Sequence, residues 1–191
     1  MKKAQPEDRN LIIQILASSF EDNQSVNYII RQNNKKLRIR SLMEYSIDTC
    51  LLFGDVWVSD DKTACALVLY PHLKKTSLKS IWLDFKLAIK AIHLNGVGRA
   101  MRRETLINEK RPKIPMAYLW FIGVTPSYKS KGIGSQLLQE VLVNAKNQDL
   151  PVYLETSTLK NLPWYQRFDF KIYNQLSLSY TLYFLKSVTA K

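Results

Sequence analysis

Two glycines one residue apart, Gly132 and Gly134, stand between an apolar run and a helical pattern, with Lys129 and Lys131 just ahead of them. The chemistry such a junction offers is anion binding. The first turn of a helix leaves four backbone N–H groups without partners and carries a partial positive charge. Glycines there lack a Cβ, so phosphate oxygens can come against the backbone itself. The two lysines add full charges. The order is not that of a P-loop, because Gly-x-x-x-x-Gly-Lys-Ser/Thr is absent. It is not a dinucleotide fingerprint either, because a third glycine and a following acidic strand end are missing. On the glycines alone, the alternative is a tight turn without a ligand.

A second spaced set follows, Asn161, Trp164, Tyr165, Asp169 and Phe170. The sequence of apolar strand, Lys129–Gly134 loop, helix, strand at 152–156 and this second set resembles the GNAT superfamily of acyl-CoA-dependent N-acetyltransferases. The resemblance is close over 116–172. It is looser over 2–20, which looks like the family's first strand and helix, and over 51–70, which looks like its second and third strands. Lys129 stands where the pattern Gln/Arg-x-x-Gly-x-Gly/Ala begins and keeps the charge. Asp169 replaces the glycine of Asn…Phe-Tyr-x-x-x-Gly-Phe. That position calls for left-handed backbone, which Asp tolerates.

The resemblance implies acetyl-CoA as cosubstrate, a primary amine on a small molecule or protein as acceptor, and no metal. It places the pantetheine arm between the strand at 121–124 and the strand at 152–155, on backbone groups of Ile122, Gly123 and Val124. The N–H groups of Ser130, Lys131, Gly132, Ile133, Gly134 and Ser135 would hold the pyrophosphate, with Lys129 and Lys131 adding charge. Asn161 would contact the cofactor arm, and Tyr165 would protonate the leaving thiolate. The bland alternative for Tyr165 is an aromatic core residue. No acid or histidine lies in 114–124, so Glu155 on the neighbouring strand is the candidate base. Its alternative is a structural carboxylate paired with a base. His72 and His93 fall in the acceptor-side region, where a lone histidine is more often structural.

The elements that must position these groups follow from periodicity. Residues 2–4 suit a short strand, and Pro6 with Glu7 and Asp8 suits a helix start. Leu11, Ile12, Ile15, Leu16 and Phe20 continue at helical spacing. One or two helices span 23–48, with Val26, Ile29, Ile30, Leu37, Leu42 and Ile47 as core candidates. Runs at 51–58 and 63–70, separated by Ser59-Asp60-Asp61-Lys62, read as a hairpin. Helical spacing returns over 77–95, with Leu78, Ile81, Trp82, Phe85, Ile89 and Ile92 as a stripe. That stripe suits core packing or lining of the acceptor pocket, and a membrane-surface helix is its competitor. A basic helix and loop fill 96–113. Then come a strand at 116–124, a helix at 133–147, a strand at 151–155, a short helix at 160–168, and strands at 170–176 and 178–185. The fold class is mixed α/β (α+β), a mostly antiparallel sheet of about seven strands with a central β-α-β unit and helices on both faces. We read 1–191 as a single domain with a variable acceptor-side insertion at 71–113.

Composition narrows the class. No apolar run approaches the roughly 20 residues a membrane-spanning helix needs. The start of the chain turns polar and acidic where a secretion signal would be apolar. Cys50 and Cys65 fit no metal spacing and read as reduced core thiols, which suits the cytoplasm. Of a net charge of +12, the 71–113 segment carries eleven basic residues against three acids. A basic lining there would favour an acidic or phosphate-bearing acceptor, with Arg102 and Arg103 as its residues. Two competing functions remain. One is a non-catalytic acyl-CoA sensor of the same fold. The other is a nucleic-acid binder, for which no accompanying motif exists. We expect no nucleic-acid partner and a monomer or homodimer.

Overall fold

In the computed structural model, which describes residues 1–188, seven strands form one sheet. Their order is β1 (Lys2–Lys3), β2 (Gly54–Val58), β3 (Ala64–Leu69), β4 (Ala117–Val124), β5 (Val152–Thr156), β7 (Thr181–Ser187) and β6 (Phe170–Ser177). Every neighbouring pair is antiparallel except β4 and β5. That one parallel pair needs a crossover, and α6 (Ile133–Lys146) supplies it.

Helices cover both faces. Helices α1 (Arg9–Ser19), α2 (Gln24–Ile29) and α3 (Lys35–Phe53) press Ile12, Leu16, Ile39, Met43 and Ile47 onto Cys65, Leu67, Tyr118 and Phe121. On the other face, α6 and α7 (Leu162–Gln166) press Leu137, Leu138, Val141 and Tyr165 onto Ala66, Val68, Ala117, Leu119 and Leu154. Helix α5 (Leu94–Lys110) closes a third cluster, with Ile107 against Leu176, Leu182 and Phe184.

Several boundaries differ from the periodicity. Residues 51–53 belong to α3, not to a strand, and β2 begins only at Gly54. A short apolar run satisfies helix and strand equally. Leu37 is exposed, not core. The stretch 77–95 is not one helix. Helix α4 (Leu78–Leu87) passes into a π turn, Ala88–Ile92, and breaks at His93, whose φ is 69°. The stripe on α4 faces outward instead of into a core or pocket: Leu78 is 89% exposed and Trp82 61%. The face turned inward is that of Leu83 and Ala91. A reciprocal cap starts α4 all the same, Ser77 and Ser80 each accepting from the other's backbone N–H at 3.1 and 2.9 Å.

Candidate acyl-CoA site

The site begins where β4 and β5 part. Their pairing covers only Ala117↔Val152 and Tyr118↔Tyr153. Beyond it the strands have no register with each other, and each remains paired on its far side, β4 to β3 and β5 to β7. A bulge at Trp120 accompanies the parting, since Leu67 pairs Phe121 and Val68 pairs Leu119 with nothing opposite Trp120. It also resets which backbone groups face the gap. Ala117 N–H donates across to Pro151 on the β5 side, whereas Thr125 N–H donates to Thr63 on the β3 side. Since ladder bonds alternate along a strand, Gly123 faces β3, and Ile122 and Val124 turn their polar groups to the gap. Ser19 of α1 already donates to the Val124 carbonyl at 3.0 Å.

The loop after β4 leads directly into α6. Ser130 at φ 64° and Gly132 at φ 82° both adopt left-handed backbone. No described residue accepts a bond from the N–H groups of residues 130–135, while Gln136 N–H closes the first helical bond onto Gly132. Six backbone donors thus lack partners in the loop and first turn of a helix, where phosphate is commonly held. A Cβ on Gly134 would lie 3.2 Å from the Val124 side chain, so the helix start packs tightly against the end of β4. Lys129 and Lys131 are exposed, and the Lys131 ammonium lies 4.7 Å from the Tyr128 ring centre.

Helix α7 is tied to this loop. Trp164 Nε1 donates to Ser135 Oγ at 3.0 Å. Tyr165 packs edge-on to Phe170 and beside Trp164. Burial pushes its phenol above the ordinary value of 10.0. No described residue bonds its hydroxyl, and the one fully buried, unpartnered side-chain oxygen or nitrogen among the described residues is Asn27 Oδ1. Tyr165 itself is buried, 6% exposed. Asn161 is half-buried at the start of α7. Asp169 has the left-handed φ, 58°, expected of it.

Glu155 sits in a different setting. Arg111, just past α5, grips it through Nε and Nη2, both at 3.1 Å. The Tyr118 hydroxyl donates to the same carboxylate. The Arg111 guanidinium also lies 4.2 Å from the Tyr118 ring centre. Burial, then the charge of Glu155, holds the Tyr118 phenol well above its ordinary value, so it stays a donor. Both carboxylate oxygens are thus committed to partners within the protein. This cluster had no local signal, because Arg111 and Glu155 are 44 residues apart.

Of the two histidines and two arginines singled out in 71–113, His72 and Arg103 are engaged by side-chain hydrogen bonds. His72 Nδ1 accepts from Met116 N–H at 3.4 Å, and His93 marks the break in helical conformation before α5. Arg103 reaches Ser25 Oγ at 2.5 Å and the Tyr180 hydroxyl at 2.9 Å, while Arg102 is exposed.

Residues 91–172 match the family model of the acetyltransferase (GNAT) domain. The parted strands, the loop and α7 all lie within that matched segment. Solved structures share the whole fold. One from Corynebacterium glutamicum, described as histone acetyltransferase HPA2 and related acetyltransferase, aligns with a TM-score of 0.68 at 19% identity over 100% of this chain and 96% of its own. An N-acetyltransferase from Staphylococcus aureus aligns at 0.57 and 16% identity, covering 97% of this chain and 98% of its own. A mosquito arylalkylamine N-acetyltransferase like 5b aligns at 0.55 and 12%, covering 97% of each.

Proposed function

We propose that the protein is an N-acetyltransferase that moves the acetyl group of acetyl-CoA onto a primary amine. The carrying observation is the gap that opens between β4 and β5 beside a loop whose N–H groups of residues 130–135 lack partners. A chain-like arm fits the gap by bonding Ile122 and Val124 as an extra strand would, and a pyrophosphate fits the loop. Lys129 and Lys131 would complement its charge, and Asn161, at the start of α7, would contact the arm.

Acetyl-CoA supplies the activated acetyl group as a thioester. The residues of this chain do the rest. The loop and the free edge of β4 hold and orient the donor. Backbone N–H groups in the gap stabilise charge developing on the carbonyl oxygen. Tyr165 donates its phenolic proton to the departing thiolate. The new bond is N–C, the broken bond C–S, and the amine's surplus proton leaves through water. The 71–113 segment would set acceptor choice. The buried, free Cys50 and Cys65 suit a reducing compartment such as the cytoplasm.

A second reading, an acyl-CoA sensor without turnover, is favoured by one observation: Glu155, the nearest candidate base, is held by Arg111 and Tyr118. Calorimetric titration with acetyl-CoA, followed by thiol release with a panel of amines, separates the two. The described neighbours include protein and arylalkylamine acetyltransferases, so the panel spans lysine peptides and small arylalkylamines. Binding with amine-dependent thiol release supports the enzyme. Tight binding with no release from any amine supports the sensor, and no binding sinks both.

A further inference from the structure

Helix α4 turns an apolar face to water. At about 100° per residue, Leu78, Ile81, Trp82 and Phe85 fall within an arc of about 100°, and Ile89 follows in the π turn. All five are exposed, Ile81, Phe85 and Ile89 by roughly half. Leu83 and Ala91 lie opposite and are buried, so the helix is already seated on the protein by its other side. Lys79, Lys86 and Lys90 form a band beside the stripe, and Trp82 occupies the stripe's lysine-facing edge. Lys74 and Lys75 precede the helix, next to the exposed Leu73. The one acid on α4, Asp84, accepts from the Tyr45 hydroxyl at 2.7 Å. Lys86 lies 3.9 Å from Glu44, which leaves Lys79 and Lys90 as the uncommitted charges. Among the described residues no helix is long and apolar enough to cross a membrane.

We propose that this face docks the protein onto an anionic phospholipid bilayer. The helix lies in the interfacial plane, with Leu78, Ile81, Phe85 and Ile89 at the acyl boundary and the lysines among the phosphates. An aromatic edge between an aliphatic stripe and a lysine band is the profile of the headgroup layer itself. A second copy of the chain fits less well. A twofold contact sets a patch against itself, which would bring two lysine bands together in a protein of net charge +12. Nucleic acid fits less well too, since it gives the lysines phosphates but offers Leu78, Ile81 and Ile89 nothing apolar. The inference is independent of the acetyl-transfer reading.

The test is co-sedimentation of the full chain with vesicles of phosphatidylcholine plus phosphatidylglycerol, and with phosphatidylcholine alone, over a salt series. We expect binding to the anionic vesicles that falls with salt and little binding to the neutral ones. Trp82→Ser with Phe85→Ser should weaken it about tenfold or more. Lys79→Gln and Lys90→Gln should each weaken it about fivefold. All four side chains are exposed, so thermal melting should not move, and an unchanged melt rules out misfolding as the cause. Equal pelleting of the parent and the Trp82/Phe85 double variant would overturn the proposal, as would no binding to anionic vesicles at low salt. A concentration-dependent dimer abolished by the same double variant, without vesicle binding, would assign the face to self-association instead.

Discussion

Tyr165 and Glu155, the two candidate catalytic side chains, carry opposite expectations. Burial raises the Tyr165 phenol above 10.0. A raised phenol keeps its proton to higher pH, so the donor is intact throughout the neutral and mildly alkaline range. The rate should show no limb from its ionisation below pH 10.0. Tyr165→Phe should lower kcat about 100-fold with little change in KM for acetyl-CoA, because the proposed backbone contacts to the cofactor lie elsewhere. Steady-state kinetics across pH reads both, and an unaltered kcat would remove Tyr165 from the chemistry. Glu155 is bound on both oxygens, and its partner Arg111 is mostly buried, with 13% of its side chain exposed. Glu155→Gln leaves that guanidinium only the looser pairing with Glu104, at 3.9 Å, and should cost roughly 3 kcal/mol in urea unfolding. A collapse of kcat in Glu155→Gln at unchanged stability would instead make Glu155 the base.

Among the elements, the turn from β4 into α6 depends most on a single backbone conformation. Gly132 has φ 82°, and nothing lies within 4 Å of where its Cβ would be. The cost of Gly132→Ala is then conformational and not steric, about 1 kcal/mol. Thermal melts should show that loss, and acetyl-CoA affinity should fall with it. Gly132→Asn should retain more of both, since Asn enters left-handed backbone more readily. A melt and an affinity untouched by alanine would mean the loop relaxes freely and is not preformed. This turn was legible in the sequence because its signals are local: an apolar strand, two glycines and a helical period in immediate succession. Asp169 was legible through the resemblance, whose motif has a glycine at that position, and its φ is 58°. The stripe on α4 was legible as a stripe only, because periodicity reveals which residues share a face and not what covers that face. The α3–β2 boundary failed at Leu51, Leu52 and Phe53, three apolar residues too few to show a period. The place of β7 between β5 and β6, and the grip of Arg111 on Glu155, are long-range pairings with no local trace.

For the molecule as a whole, the net charge of +12 acts on the approach of ligands before any contact forms. The proposed donor is a polyphosphate anion, and its landing site carries Lys129 and Lys131 on an exposed loop. Charges in water are screened beyond about 10 Å at 0.1 M salt, so steering by the whole surface weakens steeply as salt rises. Bonds to the backbone donors of residues 130–135 form at contact and are screened far less. The association rate of acetyl-CoA, followed by stopped flow, should therefore fall about tenfold between low and physiological salt, with the dissociation rate nearly constant. Lys129→Gln with Lys131→Gln should flatten only part of that slope, because the remaining basic residues still contribute to the field. If the pair removes the whole slope, the steering is local to the loop and the excess charge of 71–113 serves another partner. If the dissociation rate carries the salt dependence instead, the lysines act as direct phosphate ligands and the backbone donors are secondary.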